Sequence, residues 1–264
     1  MASQRGRGFI SPLRERKGGL ASFIKQFFKD MRTPLYKNAI YLMANTVANN
    51  VFGFFFWMVV AWFYPVSDFG LAAALISAVA LIAAFSRVGL EVGLIRYLPE
   101  AGEKESSMIN SAFTITGGLA VVIAIIFLAG VGFWSPALDF LLDNLFFVVS
   151  FVLFTVFLAF MPLMDNVFVA KRRAEYVLCK NVVYGFVRVG LPAAFAIAFG
   201  VFGIFASWGV GAFAALFVGL AFFMRNLVPA YRPVPTVNKT VVNDMFHFSF
   251  GNYIGRIFEI LPNL

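Results

Sequence analysis

Residues 38–98 read NAIYLMANTVANNVFGFFFWMVVAWFYPVSDFGLAAALISAVALIAAFSRVGLEVGLIRYL. Two long apolar runs, Asn38–Tyr64 and Leu71–Leu98, flank a short turn that begins at Pro65 and ends at Gly70. Crossing the hydrocarbon core of a bilayer takes roughly 20 apolar residues in a helix. Each run is long enough, and both are far too long for barrel strands. Lipid tolerates only helices and closed barrels, so this stretch reads as a transmembrane helical hairpin.

The rest of the chain repeats the pattern. Further spans are Met108–Trp134, Asn144–Ala170, Asn181–Gly200 and Ile204–Met224, and a more polar seventh segment starts near Met245. Pro65, Pro99 and Pro136 follow the first three spans, and Gly200 and Gly203 frame a very short fifth-to-sixth hairpin. The fold class is therefore all-α, a polytopic bundle of six helices plus the start of a seventh. The chain accordingly has four regions: a basic segment 1–37, a bundle 38–226, a linker 227–244 and the seventh helix 245–264.

Composition agrees. Of 264 residues, 61% are hydrophobic and 13% charged, and the mean hydropathy is +0.85. A soluble domain is about 45–50% apolar and about 25% charged, which excludes a soluble enzyme, a disordered chain and a disulfide scaffold. The lone Cys179 cannot bridge internally, no Cys/His set suits zinc, and the single His247 is poor material for a triad. No phosphate-binding loop, nucleophile elbow or zinc-protease motif occurs. No metal, catalytic residue or bound cofactor is expected.

Residues 1–37 carry nine Lys and Arg against Glu15 and Asp30. This basic leader precedes a membrane span, so it marks the cytoplasmic side rather than a nucleic-acid partner. With the N-terminus in the cytosol, the cytoplasmic loops hold Lys104, then Lys171, Arg172, Arg173 and Lys180, then Arg225, Arg232 and Lys239. The outward loops hold no Lys or Arg. That split predicts a multi-pass protein of the cell (cytoplasmic) membrane. Leu20, Phe23, Ile24, Phe27, Phe28 and Met31 recur at helical spacing opposite Lys25, Lys29 and Arg32, the pattern of an interfacial amphipathic helix. A mitochondrial presequence is also basic and amphipathic, but Glu15 and Asp30 interrupt this one.

Charges within the spans are costly, at least about 2.5–3.5 kcal/mol at a helix centre. The second span holds Arg87 and Glu91, four apart on one face, and Arg96 near the cytoplasmic end, where it can snorkel. Arg87 lies about 18 Å from Pro99 along the axis at about 1.5 Å per residue. The fifth span holds Arg188, and the seventh holds Arg256 with Asn252 and Glu259 one turn to either side. Two readings stand. Buried ion pairs could lock the helices together. Alternatively, Arg87, Arg188 and Arg256, with Asn252, could line a cationic cavity for an anionic substrate, since the guanidinium fork suits phosphate oxygens. Glu91, Asp165 and Glu259 are the ion-coupling candidates, for Na⁺ or H⁺, although Asp165 also fits a solvated helix end. Pro162 and Pro192 predict kinks. Gly89–Gly93, Gly117–Gly118 and Gly185 read as close-packing faces, and the 35 Phe as packing and lipid-facing surface.

Two phrases go further. Trp62-Phe63-Tyr64-Pro65-Val66-Ser67-Asp68-Phe69-Gly70-Leu71 closes the first hairpin, and Arg87-Val88-Gly89-Leu90-Glu91-Val92-Gly93-Leu94-Ile95-Arg96-Tyr97-Leu98-Pro99 closes the second span. With Arg173, Tyr176 and Asn181, and Phe248-Ser249-Phe250-Gly251-Asn252-Tyr253, they resemble the polysaccharide transporter family. These are O-antigen or lipid-linked oligosaccharide flippases of the multidrug/oligosaccharidyl-lipid/polysaccharide flippase superfamily. The resemblance covers about Asn38–Leu264. It implies two six-helix bundles rocking about a central cavity, and movement of polyprenyl-phosphate-linked sugars between leaflets by alternating access, without an enzymatic step. It also implies that the chain is the N-terminal half of such a flippase, working with a C-terminal half, or as a homodimer if complete. The partners would be membrane lipid and the lipid-linked glycan. Alternatives are a peptidoglycan-precursor flippase or cation-coupled drug exporter of the same superfamily, or a non-transporting membrane fragment.

Overall fold

The computed structural model describes residues 34–229 and 231–239, with Asn243 and Met245 beyond them. The chain divides into two compact units, Met1–Lys37 and Asn38–Leu264, and the second holds the helical bundle. The amphipathic segment around Leu20–Arg32 and most of the seventh segment, including Asn252, Arg256 and Glu259, lie outside the described residues.

Among the described residues, six helices are long and apolar enough to cross a membrane. They belong to α1 (Pro34–Phe63), α2 (Val66–Ser86), α4 (Glu105–Ala129), α5 (Leu145–Ala170), α6 (Ala174–Ala196) and α7 (Phe199–Leu227). A shorter α3 (Leu90–Tyr97) continues from α2. α5 is the hub, packed against α2, α3, α4 and the α6–α7 hairpin. One apolar core, with Leu94, Ile109, Phe168 and Ala215, fills the end of the bundle that carries the basic Lys171–Arg173 turn. A second, with Phe56, Leu75, Phe151 and Phe205, fills the opposite end. Ala83, Ala120 and Ala159 meet between them.

The predicted continuous second span, Leu71–Leu98, is broken. α2 stops at Ser86, and Val88 and Gly89 take φ of 42° and 78°. Glycine accepts the left-handed region without cost; a β-branched valine there is an outlier. Gly89 is therefore a break in the helix, not a helix-packing contact as its spacing to Gly93 suggested. The Arg87 guanidinium turns back to donate to Ala83 O at 3.0 Å, and Asn166 Nδ2 on α5 donates to Glu91 O at 3.1 Å.

α6 and α7 form an antiparallel hairpin about Gly200, whose backbone (φ 48°, ψ −137°) is open only to glycine. Tyr64 closes this end, its hydroxyl donating to Pro192 O at 2.8 Å.

Of the glycines read as close-packing positions, Gly117 and Gly185 take aromatic rings, as does Gly209, whereas Gly118 meets nothing within 4 Å. Phe52 lies over Gly185, Phe154 over Gly209 and Phe160 over Gly117; a Cβ at Gly209 would sit 2.1 Å from the Phe154 ring. At Gly190 a Cβ would meet open space. Gly209→Ala is thus expected to cost about 1–3 kcal/mol by overpacking. Gly190→Ala should be neutral or gain up to about 1 kcal/mol from helix propensity. Thermal unfolding of the two variants in detergent checks the contrast.

Candidate functional site

α1 lies along α6 in parallel, and its polar side chains share one seam. Asn38 Oδ1 accepts from Ala174 N at 3.1 Å, covering an orphan donor of the α6 N-terminus from a neighbouring helix. Asn45 Oδ1 accepts from Asn181 Nδ2 at 2.9 Å, and Asn49 stacks one turn on. Gly53 then faces Arg188. The spacing of Asn38, Asn45, Asn49 and Gly53 keeps all four on one helical face.

The centre of the seam is an ion pair that the sequence did not reveal. The basic cluster after Ala170 places Lys180 in a cytoplasmic loop by sequence alone. It lies instead inside α6, with none of its surface exposed. Its Nζ stands 2.9 Å from Asp165 Oδ1 and 3.3 Å from Met161 Sδ. The other Asp165 oxygen accepts from Asn181 at 3.3 Å. Asp165 is therefore the counter-ion of a buried lysine, not a solvated helix end. Room for the lysine stem comes from α7, which widens into a π-helical stretch over Gly219–Met224; a Cβ at Gly219 would lie 3.5 Å from Lys180 Cδ.

Two turns further along α6 sits Arg188, only 7% exposed. Its guanidinium carbon is 4.7 Å from the Tyr184 ring centroid, 4.9 Å from that of Trp208 and 5.5 Å from that of Phe56. The Tyr184 hydroxyl is at 3.5 Å. No carboxylate forms an ion pair with Arg188 among the described residues. Arg188 Nε and Trp208 Nε1 are both buried donors without an acceptor. Buried donors are nearly always satisfied, so this aromatic box has capacity for a further acceptor.

Arg87 is different. Its Nε is 3.3 Å from Glu91 Oε1, and the two side chains are 16% and 5% exposed. It holds a local ion pair across the α2–α3 break. The structure thus joins Arg87 with Glu91, and sets Asp165 and Arg188 along the α1–α6 seam. Arg256, Asn252 and Glu259 lie outside the described residues. Sequence reading missed Lys180, Asn45, Asn49 and Trp208. One signal was available: Asp165 and Lys180 stand either side of the turn after Ala170, where antiparallel helices must face each other.

The family described as "Polysaccharide biosynthesis protein" matches residues 35–263. The chain belongs to that family, and is a membrane protein of the transporter type in polysaccharide biosynthesis. No curated protein and no solved structure matches it.

Breaking a buried ion pair from one side strands a charge and costs about 3–5 kcal/mol, whereas replacing both partners is often neutral. Asp165→Asn should therefore lower the unfolding midpoint sharply. The double variant Asp165→Asn with Lys180→Met should recover most of the loss. A double-mutant cycle by thermal unfolding in detergent measures this; additive losses would contradict it.

Proposed function

From this family membership we propose that the protein moves polyprenyl-phosphate-linked oligosaccharide precursors across the cell membrane by alternating access. The observation that carries the reading is Arg188, a buried guanidinium with no carboxylate partner among the described residues, boxed by Phe56, Tyr184 and Trp208. A phosphate group offers the acceptor oxygens that Arg188 Nε and Trp208 Nε1 lack. In a water-poor setting such a charge-assisted bond is strong. The aromatic faces hold the guanidinium in place without neutralising it.

The remaining charges take supporting roles. Arg87 is balanced by Glu91 at the α2–α3 break, where it stabilises the bent chain. By sequence alone, Arg256 and Asn252 are further candidates for binding the anionic substrate, and Glu259 for ion coupling. The Asp165–Lys180 pair is the coupling element: a proton or Na⁺ on Asp165 releases Lys180, and the helices carrying them can shift. The π-helical stretch beside Lys180 supports this, since such stretches often mark hinges and functional sites. On the positive-inside pattern, the Asn38 end of α1 and the exposed Arg172 and Arg173 face the cytosol. No covalent chemistry takes place.

The test uses the full-length gene product reconstituted in vesicles with lipid-linked oligosaccharide, scoring the glycan exposed on the far side. Arg188→Leu is expected to cut translocation at least ten-fold, with an unfolding midpoint close to that of the parent. Arg188→Lys should recover little, because a lysine lacks the planar fork. Removal of the gene should accumulate cytosol-facing lipid-linked sugar. Normal translocation by Arg188→Leu would overturn the assignment.

A further inference from the structure

We infer that the proline-rich strap after α7 covers a site for one acyl chain of an anionic phospholipid. The strap, Tyr231–Asn238, runs across the first turns of α4 and is tied there by three bonds. Asn110 Nδ2 donates to Arg232 O at 2.9 Å, the backbone N–H of Thr236 donates to Thr114 Oγ1 at 3.2 Å, and that of Asn238 donates to Ser111 Oγ at 3.0 Å. Between strap and helix lies a cavity of about 360 Å³. Gly117, Gly118, Phe160, Leu220, Pro233 and Pro235 form much of its wall. An apolar cavity of about 150 Å³ accommodates benzene, so this one has room for about 14 carbons at similar density.

Three observations select the occupant. First, the wall offers hydrocarbon and little else. Asn110 Nδ2 and Thr114 Oγ1 are used by the strap, Tyr231 adds an aromatic ring with one hydroxyl, and Pro233 and Pro235 have no N–H to leave unsatisfied. Second, the cavity opens towards lipid. Gly118 is exposed and a Cβ there would meet nothing within 4 Å. From it Val122, Ile125 and Ile126 continue along α4 as an exposed stripe, each more than half exposed. The span containing α4 has 28 residues, about 42 Å at about 1.5 Å per residue, against a hydrocarbon core of about 30 Å. The extra length at the basic end puts Asn110 near the core boundary, with Gly118 about 12 Å deeper. A chain entering along this stripe belongs to the leaflet at the basic end. Third, Arg232 on the strap and Lys239 just after it are exposed and form no ion pair among the described residues, which favours an anionic head group above the cavity. A seated chain would fill the space between strap and α4 and so fix the path of the connection leaving α7.

The test reconstitutes the full chain in phosphatidylcholine vesicles containing phosphatidylglycerol with a photoreactive acyl chain, and maps labelled peptides by mass spectrometry. Labelling is expected to concentrate on residues 110–118 and 231–235. Gly118→Phe, which fills the cavity from α4, should reduce that labelling at least five-fold. Val234→Trp should do the same from the strap. Val122→Phe, on the stripe but outside the cavity, should leave it unchanged. If Gly118→Phe loses its cooperative thermal transition, Val234→Trp decides. Uniform labelling along α4, or labelling that survives both filling substitutions, would overturn the inference. So would displacement of the acyl probe by an equal amount of polyprenyl phosphate, which would make the cavity a site for the isoprenoid chain instead.

Discussion

A charge surrounded by hydrocarbon must find its partner inside the protein, and the bundle is organised around that requirement. The Asp165–Lys180 pair meets it most fully. The lysine has no surface exposed, and its counter-ion is held in turn by Asn181 and, through Asn181, by Asn45 of α1. Three helices are thereby fixed in register by one buried charge. Such a pair adds little net stability over a well-packed apolar substitute, but breaking it from one side is expensive. That asymmetry suits an element that must hold one arrangement firmly and exchange it for another when a proton or ion arrives. Arg188 meets the same requirement incompletely. Aromatic faces cradle it, yet two donors in the box keep unused capacity.

The break between α2 and α3 follows the same logic applied to the backbone. Interrupting a helix within a membrane leaves carbonyls and amides without partners, and these must be satisfied by side chains or neighbouring helices. Here the Arg87 guanidinium caps Ala83 O, the Ser86 hydroxyl bonds the same carbonyl at 2.9 Å, and Asn166 reaches Glu91 O from α5. The Arg87–Glu91 pair thus belongs to a reinforced bend. The bend turns Leu90, Leu94 and Leu98 into the core at the basic end.

Packing elsewhere depends on size differences. Without a hydrophobic driving force between helices in lipid, association rests on close fit. Phenylalanine rings seated over Gly117, Gly185 and Gly209 provide that fit across three different helix pairs. α1 is the least enclosed of the long helices, with 11% of its most apolar window buried. It meets the bundle along the asparagine seam towards the basic end and, towards the opposite end, through Phe56 and Val60, which are fully buried in the second core.

How much of this could be read in advance depends on the range of the interaction. Span number, span length and the all-α class follow from runs of apolar residues, because the bilayer sets the length of a helix and the sequence alone determines its hydropathy. The Arg87–Glu91 pairing was equally legible, being four residues apart. The helix break at Val88-Gly89 was not, because a glycine in an apolar run is compatible with a packing contact as well as with a left-handed turn. Lys180 was hidden for a similar reason: a lysine near a basic turn normally faces water, and only the opposing Asp165 makes its burial tolerable. Which aromatic rings surround Arg188, and which helix the proline strap crosses, depend on residues far apart in the chain. Those contacts exist only once the helices have packed, so the tertiary structure decided them.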